Sequence, residues 1–159
     1  MIGIISDTHD NIGNIKKAIS VFKARNVDFA FHCGDIVAPF TVTFFKDVKM
    51  KFIQGNCDGD IPMIRKNIEL IGGEFLGTIA EFNHGGKKFA AYHGNLTDVL
   101  DKLISSKKYD YVLTGHTHKR RDELIGKTRV INPGAHYYGA ENTIALLDVE
   151  KNKLELIQL

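Results

Sequence analysis

The chain opens on a short uninterrupted apolar run, residues 2–6 (Ile-Gly-Ile-Ile-Ser), which gives way at once to polar Asp7-Thr8-His9. A run without polar alternation is the pattern of a strand covered on both faces in a mostly parallel sheet. Ile12, Ile15, Ile19 and Phe22 then recur at three- and four-residue spacing. That period predicts an amphipathic helix, capped by Asp10 or Asn11, with Lys16, Lys17, Lys23 and Arg25 on its wet face. Apolar segments 29–33 and 51–54 read as two further strands with Val42, Phe44 and Phe45 on a helix between them, and Ile61, Ile64, Ile68 and Ile71 mark a helix over 60–71. Strands alternating with helices predict right-handed β-α-β units and an α/β class.

Beyond residue 76 the pattern changes. Segments 77–83 and 87–92 flank His84-Gly85-Gly86, whose glycines tolerate positive φ, and the pair reads as a hairpin. Val99, Leu100, Leu103 and Ile104 share one face of a helix over 97–107, and 109–114 follow as a strand. Short strands at 121–125, 128–131, 143–149 and 153–159 complete the pattern. No repeat, linker or low-complexity stretch divides the 159 residues, so a single domain over 1–159 is expected.

Composition changes this picture little but excludes several classes. Hydrophobic residues at 43% and charged residues at 25% are ordinary for a globular chain. No apolar run approaches the roughly 18 residues that span a bilayer, and Met-Ile-Gly-Ile-Ile-Ser-Asp lacks the basic start of a signal peptide. The expected compartment is therefore the cytoplasm, with no membrane partner. A net charge of +2 is too small and dispersed for the one-sided basic face that a long nucleic acid requires. The two cysteines, Cys33 and Cys57, do not make a disulfide framework.

The chemistry lies in five polar clusters, each just after a predicted strand: Asp7-Thr8-His9, Gly34-Asp35, Gly55-Asn56-Cys57-Asp58, His93-Gly94-Asn95 and Gly115-His116-Thr117-His118. In α/β sheets ligands bind beyond the carboxyl ends of strands, so clusters distant in sequence can meet in one crevice. Among their residues two aspartates (Asp7 and Asp35), one asparagine (Asn56) and four histidines make a set of oxygen and imidazole donors suited to borderline divalent cations. That is more than one four-coordinate ion uses, and it fits two ions sharing a bridging carboxylate. On an extended backbone, Asp7 and His9 would point to one side, as would His116 and His118. The adjacent glycines allow sharp turns and close approach to a charged centre.

The ordered set Asp-x-His, Gly-Asp, Gly-Asn-x-Asp, His and Gly-His-x-His, spanning residues 7–118, resembles the calcineurin-like metallophosphoesterase superfamily. The small size, the start Ile-Ser-Asp-Thr-His-Asp and the later Ile131-Asn132-Pro133-Gly134 resemble its compact YfcE-type phosphodiesterase branch. The resemblance implies two β-sheets packed face to face between helical layers, a four-layer αββα sandwich. It implies one metal held by Asp7, His9 and His118 and another by Asn56, His93 and His116, with Asp35 bridging. It also implies hydrolysis of a small phosphate ester, a diester before a monoester, by in-line attack of a metal-bridging hydroxide. Manganese is the favoured metal; nickel, cobalt, zinc and iron suit the same donors. Cys57 stands where the superfamily usually has a histidine near the leaving group, and the narrower branch often lacks that histidine too. Asp35, Asn56 and His93 are thus the candidate catalytic positions, with Cys57 doubtful as an acid and Asp58 as an orienter of a ligand or water.

Plainer readings exist for the remaining residues. His32, inside an apolar strand, reads as a hydrogen-bonded core histidine, and His84 as a solvated turn residue. His136 is a candidate for the crevice border. Tyr137 and Tyr138 are candidates for stacking on a nucleobase, and Lys119, Arg120 and Arg121 for holding a distal phosphate, although strand packing and a solvated basic run account for them more simply. Asp58 and Asn95 would serve equally as helix caps. The main rival function is a non-catalytic protein-interaction module on the same fold, against which the full ligand set argues. A nuclease acting on structured DNA would need basic surface that the chain lacks. A homo-oligomer is compatible with everything above, and the sequence does not determine it.

Overall fold

A computed structural model describes residues 1–137 and 140–159; Tyr138, one of the two stacking candidates, lies outside them. Strand β1 (Ile2–Ile5) leads into helix α1 (Ile12–Ala24), and β2 (Phe29–His32) follows. Next come a 3₁₀ turn over Pro39–Phe45, β3 (Met50–Phe52), α2 (Ile61–Leu70) and a two-residue strand β4 (Glu74–Phe75). The second half runs β5 (Ile79–His84), β6 (Lys87–Tyr92), α3 (Thr97–Ser105), β7 (Tyr111–Leu113), β8 (Arg121–Ile125), β9 (Thr128–Asn132), β10 (Thr143–Asp148) and β11 (Lys153–Gln158).

These strands form a six-stranded sheet, β11-β10-β1-β2-β3-β4, and a five-stranded sheet, β5-β6-β7-β9-β8. Strands β1 to β4 are mutually parallel, as are β6, β7 and β9. Side chains alternate across β1, so Ile2 and Ile4 enter the core between the sheets while Ile5 enters the core under α1 and α2. The inter-sheet core takes Phe31 and Ile53 from one side and Phe89, Leu113 and Ile131 from the other. Through it runs a stack of rings, with Phe82–Phe89 centroids 4.9 Å apart and Phe89–Tyr111 4.7 Å apart. A third core seals α3 onto the outer face of the second sheet through Ile104, Val112 and Val130. The layers are helix, sheet, sheet and helix, as the resemblance implies.

Several boundaries differ from the sequence reading. The segment carrying Val42 and Phe45 winds as 3₁₀, with Pro39 at its start and Thr41 Oγ1 tied to Asp10. The hairpin turn is Gly85-Gly86 alone, both at positive φ, and His84 belongs to β5. There its ring meets Asp28 at 3.1 Å instead of standing free in water. Strand β4 was invisible in the sequence because two residues are too short to show a period. Asn11, not Asp10, caps α1, accepting from the Asn14 N–H.

The topology positions the site. In parallel strands every carboxyl end lies at the same edge, so the segments after β1, β2 and β3 share one edge of the first sheet, and those after β6, β7 and β9 share one edge of the second. The two edges meet where the His136 N–H, after β9, donates to Asp7 O, after β1, at 3.0 Å.

Candidate metal centre

Asp7 and Asp35 lie at the bottom of this meeting point, at 0% and 1% exposure. Asp7, His9, Asp35 and His118 each bring one donor atom into a group in which all lie within 4.8 Å of one another. His93, fully buried, joins them through Nε2, 3.3 Å from Asp35 Oδ2 and 3.9 Å from Asp7 Oδ1. His116 stands beside it with ring centroids 5.3 Å apart, and its backbone N–H donates to both oxygens of Asp7. Asn56 is different in being exposed, its side-chain amide donating to Cys57 Sγ.

The local backbone is not the extended one expected for the Asp-x-His and His-x-His pairs. Asp7, His9, His116 and His118 all have positive φ, between 41° and 65°, and Asp35 has 61°. Extended strands end at Ile5 and Leu113, where the ladders stop. Beyond them a left-handed residue at each donor position curls the chain, at a cost of about 1–2 kcal/mol each for a residue with a Cβ. Tertiary hydrogen bonds offset that strain, such as His9 N–H to Asp35 O at 3.1 Å. Gly55 and Gly115 act by close approach: a Cβ on the first would stand 2.2 Å from Asp35 Oδ1, and on the second 2.0 Å from Ser6 Oγ and 2.6 Å from Asp7 Oδ2.

The carboxylates are held from behind. Asp58 accepts four backbone N–H groups, from Asp35 and Gly55 on one oxygen and from Ile36 and Val37 on the other, at 2.6–3.2 Å. It therefore clamps the loops after β2 and β3 together and is not a helix cap; Asp60 caps α2. Ser6 Oγ donates to Asp7 at 2.5 Å, and Asn132 Nδ2 donates to Gly115 O at 2.7 Å and to Thr117 Oγ1 at 3.2 Å. Neither Ser6 nor Asn132 stood out as a site residue in the sequence, since one ends an apolar run and the other falls where the sequence reads the connection after a strand; the structure makes Asn132 the last residue of β9. His32 is a core histidine as expected: Gly34 N–H donates to its Nδ1, so Nε2 carries the proton toward Thr8 Oγ1. His136 is buried and not on an open border, and Asn95 is exposed.

Charge in the group is unbalanced. Burial raises the Asp7 carboxyl to about 6, against the lowering effects of Ser6 and His93. Burial pulls Asp35 upward too, but its contacts with His93 and the Cys57 N–H outweigh this and bring it below the usual carboxylate range. The His93 ring is penalised by burial and nonetheless raised, because Asp35 and Asp7 flank it. Burial lowers His118, and it raises the Cys57 thiol to about 11 with help from Asp35.

Whether the donors fit divalent ions is answered by their lone pairs. His93 Nδ1 lies 2.7 Å from Cys33 O, which only accepts, so Nδ1 carries a proton and Nε2, turned toward two carboxylates, is the atom that takes up either a cation or a second proton. Buried Nε2 atoms of both His93 and His9 have no hydrogen-bond partner. Imidazole nitrogens converging on carboxylate oxygens need a positive charge between them, which a proton supplies in the metal-free chain and a divalent ion would supply in its place, and the backbone carbonyl behind His93 is the usual second support of a ligating imidazole. The residues fit.

Comparison with known proteins agrees. Residues 1–152 match the family model of the calcineurin-like phosphoesterase superfamily domain. The chain is 37% identical over 163 residues to phosphodiesterase MJ0936 of Methanocaldococcus jannaschii, covering 99% of this chain and 98% of that protein. A solved archaeal phosphodiesterase superposes with a TM-score of 0.94 at 36% identity, over 99% of each chain. The phosphoesterase YfcE of E. coli shares the fold with a TM-score of 0.71 at 15% identity, over 99% of this chain and 98% of its own. Two packed sheets, carboxyl-end loops bearing the donor set and full-length similarity converge on one assignment: this chain belongs to the calcineurin-like phosphoesterase superfamily and is a phosphoric ester hydrolase.

Proposed function

We propose that the chain hydrolyses small phosphodiesters at a dinuclear divalent-metal centre, with manganese as the metal. The observation that carries this reading is the pair of buried, unpartnered imidazole nitrogens, His9 Nε2 and His93 Nε2, turned toward Asp7 and Asp35. Asp7, His9 and His118 would hold one ion and Asn56, His93 and His116 the other, with Asp35 shared; Asn56 would reach its ion from an exposed position. When bound, such a pair neutralises charge on the phosphoryl oxygens and lowers the pKa of water toward neutrality.

The chain's own groups prepare the site. Asp58 fixes Asp35 through the backbone, while Ser6 and the His116 N–H hold Asp7 in place. At position 57 a thiol raised to about 11 stays protonated at neutral pH and gives up its proton poorly, so esters whose leaving group is stable as an anion suit this site, aryl before alkyl. The diester preference is supported by the activity named for the M. jannaschii relative.

Chelation followed by add-back of manganese, nickel, cobalt, zinc, iron or magnesium tests the reading on a generic aryl diester. Turnover should vanish and return, with manganese restoring most, and Asp35→Asn should lose several orders of magnitude. Activity that survives chelation, or near-normal turnover in Asp35→Asn, would contradict the metal centre. A metal-free, inert native protein would favour an interaction module instead.

A further inference from the structure

Strand β9 runs parallel to β7, so the segment after β9 arrives at the edge already occupied by the loop after β7. It brings Tyr137 against the metal-site histidines, its ring centroid 4.7 Å from His118 and 5.9 Å from His9. At 40% exposure Tyr137 belongs to none of the hydrophobic cores. Beside it opens a cavity of about 510 Å³, lined also by Thr117, His118, Lys119, Arg120 and Glu141. That volume is within the roughly 300–1,000 Å³ typical of small-molecule sites.

The walls select among occupants. Arg120 is ion-paired with Glu141, which anchors its guanidinium and ties the loop after β7 to the segment before β10. Its charge is thereby offset, leaving Lys119 without an ion-pair partner among the described residues. One uncommitted cation is a thin basis for a second phosphate, which is usually gripped by several converging donors. A phenol ring and an arginine side chain both offer planar faces to an aromatic group. Thr117 Oγ1 accepts from the Asn132 side chain and the Lys119 N–H, leaving its hydroxyl proton for a polar ring edge. Planar, aromatic and polar-edged describes a heterocyclic base.

We propose that this cavity is the subsite for a base-like aromatic group on the ester, and that Tyr137 is its specificity-determining stacking residue. The proposal rests on the phosphoesterase reading of the adjacent centre. Stacking of a base on an aromatic side chain gives roughly tenfold in affinity. Calorimetry on the manganese-loaded chain, with adenosine 5′-monophosphate and ribose 5-phosphate as probes, isolates the base. The nucleotide should bind about tenfold tighter; Tyr137→Leu should erase that preference, Tyr137→Phe should keep it, and ribose 5-phosphate should bind equally to all three. Equal affinities in the native chain, or a preference that survives Tyr137→Leu, would overturn the subsite while aryl diester turnover left the phosphoesterase reading standing. If neither probe binds and no aryl diester is turned over, the centre itself is misread and the subsite falls with it.

Discussion

A single carboxylate shows how much of this site is held by groups that never meet substrate. Asp58 takes four N–H donors, two on each oxygen, so an ionised acid is the only side chain of that size that satisfies them all. Asp58→Asn replaces one acceptor oxygen by a donor and leaves two buried N–H groups facing it. The expected cost is about 2–4 kcal/mol in stability, since losing a charge-assisted partner strands its donors. Because three of those donors, Asp35, Ile36 and Val37, belong to the loop that carries Asp35, metal affinity should also fall by about 10–100-fold, the usual effect of removing a group behind a ligand. Urea unfolding and manganese titration of the variant measure both; a variant with native manganese affinity would show that the clamp serves folding alone. The donor types were legible in the sequence at this scale, from Asp7 to His118, because they follow apolar runs. The left-handed backbone at five of them was not, since nothing in Asp-Thr-His distinguishes an extended tripeptide from one bent by contacts with residues 34–36.

Among the elements, β1 and α1 show packing that a periodicity reading passes over. Gly3 sits mid-strand because the Phe22 ring of α1 lies across it: a Cβ there would stand 2.6 Å from Phe22 Cε1. The ring is fully buried and has nowhere to retreat. Gly3→Ala should therefore destabilise by about 1–3 kcal/mol, the range for overpacking, although alanine is otherwise the better strand residue. Pairing it with Phe22→Leu should recover part of the loss in a double-mutant cycle, and strict additivity of the two changes would refute the contact. Helices α1, α2 and α3 were readable because each carries a three-to-four spacing of apolar side chains onto a sheet. Strand β4 and the 3₁₀ turn escaped because their form depends on neighbours: β3 recruits two residues into its ladder, and Asp10 pins Thr41.

For the molecule as a whole, burial of imidazoles ties stability to acidity. His32 titrates at about 3 and His136 at about 4 in the folded chain, both lowered chiefly by burial from the ordinary 6.5. Protonating His32 would also set a proton on Nδ1 against the Gly34 N–H. Unfolded chains bind these protons first, so the stability held in the neutral rings is complete above 6.5 and drains away as the pH falls toward 4 and then 3. Each such ring contributes a slope of about 1.4 kcal/mol per pH unit within that window. Urea unfolding of chelated protein between pH 4 and 6.5 should show it, and His32→Asn, whose Oδ1 keeps an acceptor for Gly34, should lower the slope by about one ring's share. An unchanged slope would mean that another group governs acid unfolding. The fold class, most of the elements and the list of donors follow from local order along the chain, because hydrophobic period and residue chemistry are properties of neighbours in sequence. Which donors share a centre, why Asn56 stands exposed and why Tyr137 borders a cavity depend on strands far apart in the chain ending at one edge, and only packing two sheets against each other brings those edges together.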